Sequence, residues 1–157
     1  MGEDAGLRQA METYGDMVYR LALAQTQSSH DADDVFQEVF LRYLRSAPAF
    51  REEEHRKAWL LRVTVNCCKK LHGSFWRRHM VALSEAIPAQ NQEEQELLSL
   101  LEGLPQKYRA VLHLYYYEGY DTGEIAVILG RSPNTVRSQL ARGRALLRDA
   151  WKGAEEL

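Results

Sequence analysis

The sequence predicts an all-α protein of two small helical domains joined by a flexible linker, with a helix-turn-helix in the second domain. No stretch alternates apolar and polar residues with the two-residue period of a half-buried strand. Proline and glycine, which interrupt helices, are sparse in the first eighty residues. Residues 119–148 have the pattern of two short helices separated by a tight turn.

The first domain is predicted over residues 1–80 and contains three helices. Its boundaries follow from capping residues and from the position of the first proline. The predicted elements are a helix over Leu7–Thr26, a second from Ser29 or Asp31 to about Arg45, a loop over Ser46–Glu54, and a long helix over Glu54–His79, with or without a break near Gly73.

The second domain is predicted over residues 94–157, after a linker at residues 81–93. The segment Val81–Gln92 contains Pro88 and is typical of a linker. A fourth helix is expected over Glu93–Gly103, and a fifth from Pro105 to near Gly119.

Local signals define the first helix of the helix-turn-helix. Asp121 or Thr122 can cap its N-terminus, and Asp121 has capping-box spacing to Glu124. Gly130 follows the last apolar residue, where helices often need a left-handed residue. These residues predict a helix that ends in a tight turn.

The second helix of the motif is expected to begin with Ser132 as cap and Pro133 at its first position. The run 131–148 holds five arginines and no acid, which suits a helix that enters the DNA major groove. Its small, polar N-terminal half can approach base edges, and its arginines suit phosphates. The alternative is an amphipathic terminal helix with a solvated basic face. The predicted inward stripe is Val136, Leu140, Gly143 and Leu147; the opposite face is Asn134, Arg137, Ser138, Ala141, Arg144, Ala145 and Arg148.

Composition indicates a soluble globular protein. The chain has 157 residues, 45% hydrophobic and 27% charged, and no apolar run approaches the roughly 20 residues of a membrane span. The acidic N-terminus lacks the pattern of a signal peptide, so a cytoplasmic location is expected. The net charge of −2 conceals separate patches: residues 55–80 hold seven cations and no acid, whereas residues 31–38 hold four acids and no base.

Neither a metal, a cofactor nor an enzymatic activity is expected. Cys67 and Cys68 are adjacent, which does not suit a disulfide between them. Cys68 and His72 could share a helix face, but a metal site would need two more ligands. No nucleophile motif or phosphate-binding loop occurs in the sequence.

The segment 50–79 mixes cations with aromatic residues. Cations bind phosphates and aromatic faces stack on exposed bases, so this mixture suits opened or single-stranded DNA. The alternative is an ordinary core helix, whose buried stripe would be Trp59, Leu60, Val63 and Cys67. The candidate DNA-binding residues are Trp59, Arg62, Asn66, Lys69 and Lys70.

The segment DADDVFQEVFL, residues 31–41, clusters acids at a helix start, where the helix dipole favours them. A second interpretation is a docking face for a basic protein partner. Asp34, Gln37, Glu38 and Leu41 would form that face.

Four segments in order resemble the extracytoplasmic-function (ECF) sigma factors of bacterial RNA polymerase. They are YGDMVYRLAL, DADDVFQEVFLR, RKAWLLRVTVNCCKK and the segment from LEGLPQKYRAVLHL through TVRSQLARGRALLR. The resemblance covers roughly Tyr14–Arg148. It implies a protein that directs core polymerase to promoters and initiates transcription, with domains corresponding to sigma regions 2 and 4.

The resemblance also assigns roles to residues. The acidic helix, which contains residues 31–41, would dock on the clamp of the largest polymerase subunit. The helix within the basic and aromatic segment 50–79 would bind the opened minus-ten element, with Asn66 in a pocket for a flipped base. The loop 47–54 would help to form this pocket. Arg137 and Ser138 would read the minus-thirty-five element, and the face around residues 112–117 would rest on the flap of the second large subunit. Clamp residues are Asp34, Gln37, Glu38, Phe40 and Leu41; minus-ten residues are Trp59, Arg62, Asn66, Lys69 and Lys70; minus-thirty-five residues are Arg131, Asn134, Thr135, Arg137, Ser138, Ala141, Arg142 and Arg144.

The sequence departs from the family pattern at two positions of the second domain. Ala141 stands where relatives often carry a larger residue, and Gln139 where many carry a base. The family also implies an anti-sigma partner and no membrane insertion. Two other functions remain open on the residues alone: a stand-alone helix-turn-helix regulator, and a helical adaptor that binds only protein.

Overall fold

The computed structural model describes residues 2–70, 99, 101 and 103–155, and the side chains within 6–70, 99, 101 and 103–149. Every regular element in these residues is a helix, which confirms the predicted fold class. The predicted linker, the end of the predicted third helix and most of the predicted fourth helix lie outside the described residues. The chain divides into two compact units, Met1–Pro88 and Ala89–Leu157.

The first unit contains helices α1 (Gly2–Thr26), α2 (Ser29–Ser46) and α3 (Glu53–Lys70), each packed on the other two. Ser28 caps α2 by accepting a 3.2 Å hydrogen bond from the Asp31 amide. The core is aliphatic and comes from all three helices; its fully buried side chains include Val18, Leu21, Leu23, Val35, Val39, Leu60 and Leu61.

An aromatic cluster holds the loop 47–52 against α2 and α3. The Phe50 ring, on the loop, stacks on Tyr43 at 6.3 Å between centroids. Trp59 presents its edge to both rings, at 6.0 and 5.9 Å. Arg56 lies 5.0 Å above the Phe50 ring and donates a hydrogen bond to the Tyr43 hydroxyl. Because its contacts come from two helices, Phe50 fixes the loop that the resemblance places at the minus-ten pocket.

The second unit contains α4 (Gln106–Leu112), a π-helical segment (His113–Tyr117), α5 (Thr122–Leu129) and α6 (Pro133–Glu155). The sequence predicted one regular helix from Pro105 to near Gly119. The structure instead widens its second half into a π-helix, and the Glu118 amide closes the end by donating to the His113 carbonyl at 3.1 Å.

The predicted helix-turn-helix is confirmed in its local detail. Asp121 and Glu124 form a reciprocal capping box with hydrogen bonds of 2.8 and 3.1 Å. Gly130 ends α5 in the left-handed conformation, with φ of 66°. The Ser132 hydroxyl accepts a 3.1 Å hydrogen bond from the Thr135 amide, and α6 begins at Pro133.

Helix α6 approaches α4 most closely at a glycine. A β-carbon built on Gly143 would meet the Leu112 side chain at 3.0, 3.1 and 3.4 Å. Leu112 is itself buried, so it has little space into which to move. On the same side of α6, Val136 and Leu140 are buried and Leu147 is half-buried, which confirms the predicted inward stripe.

We expect Gly143→Ala to destabilise the second unit, because overpacking costs about 1–3 kcal/mol and outweighs a helix-propensity gain of about 1 kcal/mol. Chemical denaturation, with hydrogen exchange of amides in 104–149, measures the effect. Gly6→Ala is the matched control, since nothing lies within 4 Å of a β-carbon at Gly6 in α1. Equal stability changes in the two variants would contradict this prediction.

Candidate nucleic-acid interface

The outer face of α6 presents the residues predicted to read DNA. Helix packing fixes this orientation, because Val136 and Leu140 are buried against the rest of the unit. Arg137 donates a hydrogen bond to the Asn134 side chain, which links two predicted contact residues one turn apart. The exposed members of the face are Asn134, Thr135, Arg137, Ser138, Ala141, Arg142 and Arg144.

Arg131 differs from the other predicted contacts because it is half-buried and has partners within the chain. Its guanidinium donates to the Gln139 side-chain oxygen at 2.7 Å and to the Lys107 carbonyl at 3.3 Å. Burial lowers the pKa of Arg131. Arg131 therefore ties the turn to α6 and α4, and Gln139 is an acceptor that a basic residue at this position could not supply.

Two neighbouring tyrosines of the α4–π segment contact one arginine of α6. Arg144 donates a 2.5 Å hydrogen bond to the Tyr116 hydroxyl and lies 5.1 Å from the Tyr115 ring centroid. The Tyr116 hydrogen bond raises the pKa of Arg144. Earlier on the same segment, a hydrogen bond from Arg142 lowers the pKa of Tyr108. Residues 112–117 were predicted as a flap contact, but their contacts with α6 were not predicted, because these depend on tertiary packing.

The predicted minus-ten residues of α3 share one exposed face. Arg62, Asn66, Lys69 and Lys70 follow one another at steps of four, three and one residues and are exposed. The other side of the helix is buried around Leu61, Thr64, Val65 and Cys68. Of the core stripe weighed from the sequence, Leu60 and Cys67 are buried but Trp59 and Val63 are only half-buried.

Trp59 occupies a different position from the other minus-ten candidates. Its ring is half-buried in the aromatic cluster with Tyr43 and Phe50. The structure therefore gives Trp59 a role in holding the loop 47–52. The aromatic and basic residues predicted further along this segment, at 75–78, lie outside the described residues.

The acidic face of α2 combines charge with exposed apolar surface. Gln37 is exposed, Asp34 and Glu38 are half-buried, and Leu41 is 42% exposed. Glu38 accepts a 3.1 Å hydrogen bond from Arg42. This mixture of carboxylates and an exposed leucine suits a protein partner.

The inclusion of Phe40 in this face requires correction. Phe40 is 3% exposed, and its ring packs against Phe36 at 4.8 Å between centroids. Because the Phe40 side chain is buried within the first unit, it contributes to the packing of α2 and is not available to a partner on the outer face. The four remaining residues of the predicted docking face keep some exposure.

No cluster of histidine, cysteine or carboxylate side chains able to hold a metal occurs in the described part of the chain. Among the described helices, none combines the length and hydropathy that crossing a membrane requires. Cys67 and Cys68 are buried free thiols, and burial raises the pKa of the Cys67 thiol.

Comparison with known proteins assigns both units. Residues 10–79 match the family model of Sigma-70 region 2, and residues 94–147 match that of Sigma-70 region 4. The chain belongs to the sigma-70 family, in its ECF group. The helix-turn-helix of this ECF sigma factor lies within the region 4 match, and α3 lies within the region 2 match.

The curated relatives of this sigma factor are ECF proteins from several bacteria. It is 34% identical to the ECF sigma factor SigE of Mycolicibacterium smegmatis, over 87% of this chain and 58% of SigE. It is 28% identical to SigM of Mycobacterium tuberculosis, over 93% of this chain and 77% of SigM. It is 26% identical to SigW of Bacillus subtilis, over 94% of this chain and 89% of SigW.

Two solved structures share the fold. CnrH, solved in complex with the cytosolic domain of CnrY, has a TM-score of 0.72 at 23% identity, covering 96% of this chain and 90% of that chain. RpoE of Bartonella quintana, solved with the anti-sigma factor NepR, has a TM-score of 0.74 at 19% identity, covering 92% and 96%.

Proposed function

We propose that this ECF sigma factor directs core RNA polymerase to specific promoters and initiates DNA-templated transcription. The observation that carries the proposal is the combination of an acidic-apolar face on α2, a basic face on α3 and a groove-reading face on α6, in the order of sigma regions 2 and 4. We propose that it acts by binding rather than by catalysis. We also propose that it acts in the cytoplasm, together with core polymerase and promoter DNA. The proposed domains are residues 1–80 for region 2, 81–93 for the linker and 94–157 for region 4.

Docking on core polymerase is assigned to α2. Asp34, Gln37, Glu38 and Leu41 are the proposed contacts with the clamp of the largest subunit. In the second unit, the proposed flap contact narrows to Tyr115–Tyr117, because Leu112, His113 and Leu114 are buried.

Recognition of the minus-ten element is assigned to the exposed face of α3. Arg62, Lys69 and Lys70 would neutralise phosphates of the opened strand, and Asn66 would hydrogen-bond a flipped base. The anchored loop 47–52 would form a wall of the pocket, since the aromatic cluster fixes it beside the N-terminal half of α3.

The upstream element is assigned to α6. Arg137 and Ser138 lie in its exposed N-terminal half, the part of a recognition helix that contacts base edges. Asn134, Ala141 and Arg142 would make flanking contacts, and Thr135, Arg131 and Arg144 would serve phosphates. The printed titles of the two structural neighbours describe complexes with NepR, named as an anti-sigma factor, and with CnrY. We extend this to an anti-sigma partner for the present chain.

A pull-down with core polymerase, followed by run-off transcription from genomic promoter fragments, tests the function. Binding to core and promoter-specific transcripts are the expected results. Failure to bind core would overturn the proposal, and tight operator binding by the free chain without core binding would indicate a stand-alone regulator.

Leu41→Glu is expected to weaken core binding about fivefold or more, because loss of an interface residue that contributes to binding costs about 1 kcal/mol or more. Competition for core between wild-type and variant chains provides the measurement. Met11→Glu is the control, since Met11 lies on α1 and its exposed fraction of 38% is similar to the 42% of Leu41. Unchanged core affinity in Leu41→Glu would remove α2 from the interface.

A further inference from the structure

The contact between α6 and the α4–π segment includes a close approach of Gly143 to Leu112, with arginines on either side of the glycine and tyrosines on either side of the leucine. Along the α4–π segment, Tyr108, Leu112 and Tyr116 follow one another at four-residue intervals. On α6, Arg142, Gly143 and Arg144 are consecutive. Leu112 faces Gly143 directly, with 3.0 Å from one of its methyl groups to a β-carbon built there.

The arginine that follows Gly143 contacts a tyrosine. Arg144 donates its Nε–H to the Tyr116 hydroxyl at 2.5 Å, and its guanidinium lies 5.5 Å from the Tyr116 ring centroid. Arg142 precedes Gly143, and it lowers the pKa of Tyr108. Consecutive residues on a helix point about 100° apart. The two arginines therefore leave α6 on opposite flanks of the Gly143 contact.

Both guanidinium groups remain accessible although they have partners. Arg142 and Arg144 are exposed, and the Tyr116 hydrogen bond uses one of the five N–H donors of Arg144. The Nη groups of Arg144 can therefore still donate to another acceptor. An arginine whose planar head is already fixed loses less conformational freedom when it binds.

We propose that Tyr116 is a positioning residue that holds Arg144 for a phosphate of the DNA backbone on one flank of α6. The inference rests on the proposed function of region 4 but needs only its DNA-binding part. It adds a tyrosine from outside the helix-turn-helix to the residues of DNA recognition. The tyrosine hydroxyl acts through Arg144, and Arg144 contacts the phosphate.

The test measures binding of the full chain to a fluorescein-labelled duplex by anisotropy, across a series of salt concentrations. Each lost phosphate contact reduces the slope of log K against log salt by about 0.9. Arg144→Ala is therefore expected to reduce the slope by about 0.9. Tyr116→Phe is expected to keep the slope and weaken binding about three- to tenfold, the range for loss of one hydrogen bond.

A double-mutant cycle distinguishes positioning from a general structural role. If Tyr116 acts through Arg144, Tyr116→Phe has no further effect on affinity in an Arg144→Ala background. Tyr120→Phe is the control, because it removes a hydroxyl from a buried tyrosine just beyond the same segment and is expected to leave DNA affinity unchanged. Thermal melting shows whether each variant remains folded.

Several outcomes would overturn the inference. They are additive effects of Tyr116→Phe and Arg144→Ala, an unchanged salt slope in Arg144→Ala, and absence of DNA binding by the free chain at low salt. None requires polymerase, so failure of the proposed transcription function, seen in the pull-down with core, is a separate result.

Discussion

Arg137→Ala is expected to reduce transcription from the cognate promoter roughly 5- to 150-fold, which corresponds to the 1–3 kcal/mol that a good bidentate arginine–base contact provides. Arg137 is exposed in the N-terminal half of α6, and Asn134 accepts a hydrogen bond from its guanidinium. In the proposed complex with DNA, that orientation would direct the arginine to base edges. Since Arg137 lies on the outer face, its loss leaves the core of the second unit intact.

Run-off transcription and core affinity, measured on the same preparations, check this prediction. Core affinity is expected to equal that of the wild-type chain. Arg148→Ala serves as the control, because it removes the same charge from an exposed position eleven residues further along α6. An equal loss of core binding and transcription in Arg137→Ala would reject the assignment.

Asn66→Ala is expected to impair strand opening more than duplex binding. Unstacking a base costs a few kcal/mol, which a pocket offsets only if it satisfies the hydrogen bonds of the flipped base. Asn66 is the uncharged hydrogen-bonding side chain on the exposed face between Arg62 and Lys69. We expect permanganate reactivity of the minus-ten thymines to fall about tenfold, the effect of losing roughly one such hydrogen bond.

Lys69→Ala provides the comparison for Asn66. Removal of this exposed cation is expected to lower duplex and open-complex affinity alike, with a smaller salt slope. Permanganate reactivity in Asn66→Ala equal to that of the wild-type chain would show that the asparagine does not contribute to opening.

The parts of the fold that the sequence predicted correctly depend on neighbouring residues. Asp121 with Glu124, Gly130, and Ser132 with Pro133 define their helix ends through hydrogen bonds or backbone angles within a few residues. Such signals survive in any tertiary context, so the helix-turn-helix was predicted closely. The sites themselves, on α2, α3 and α6, remain predictions that the variants above can check.

The features that the sequence did not reveal depend on distant partners. The Arg131 guanidinium meets the carbonyl of Lys107, twenty-four positions earlier, and Arg144 meets Tyr116 across twenty-eight. Phe40 was expected at the docking face because the family resemblance implied it, but its ring packs inward against Phe36. The π-helix has no comparable local signal, since it is one five-residue segment that continues α4 without a break.

The close approach of Gly143 to Leu112 also limits how this protein can be redesigned. One way to redirect a sigma factor would be to exchange the recognition helix alone. Here a graft with a larger residue at position 143 would press on Leu112, which is buried and has little space into which to move. A graft without an arginine at position 144 would remove the hydrogen-bond partner of Tyr116. Helices α4 and α6 should therefore be transplanted as a matched pair, and new promoter specificities should be selected with position 112 varied alongside position 143.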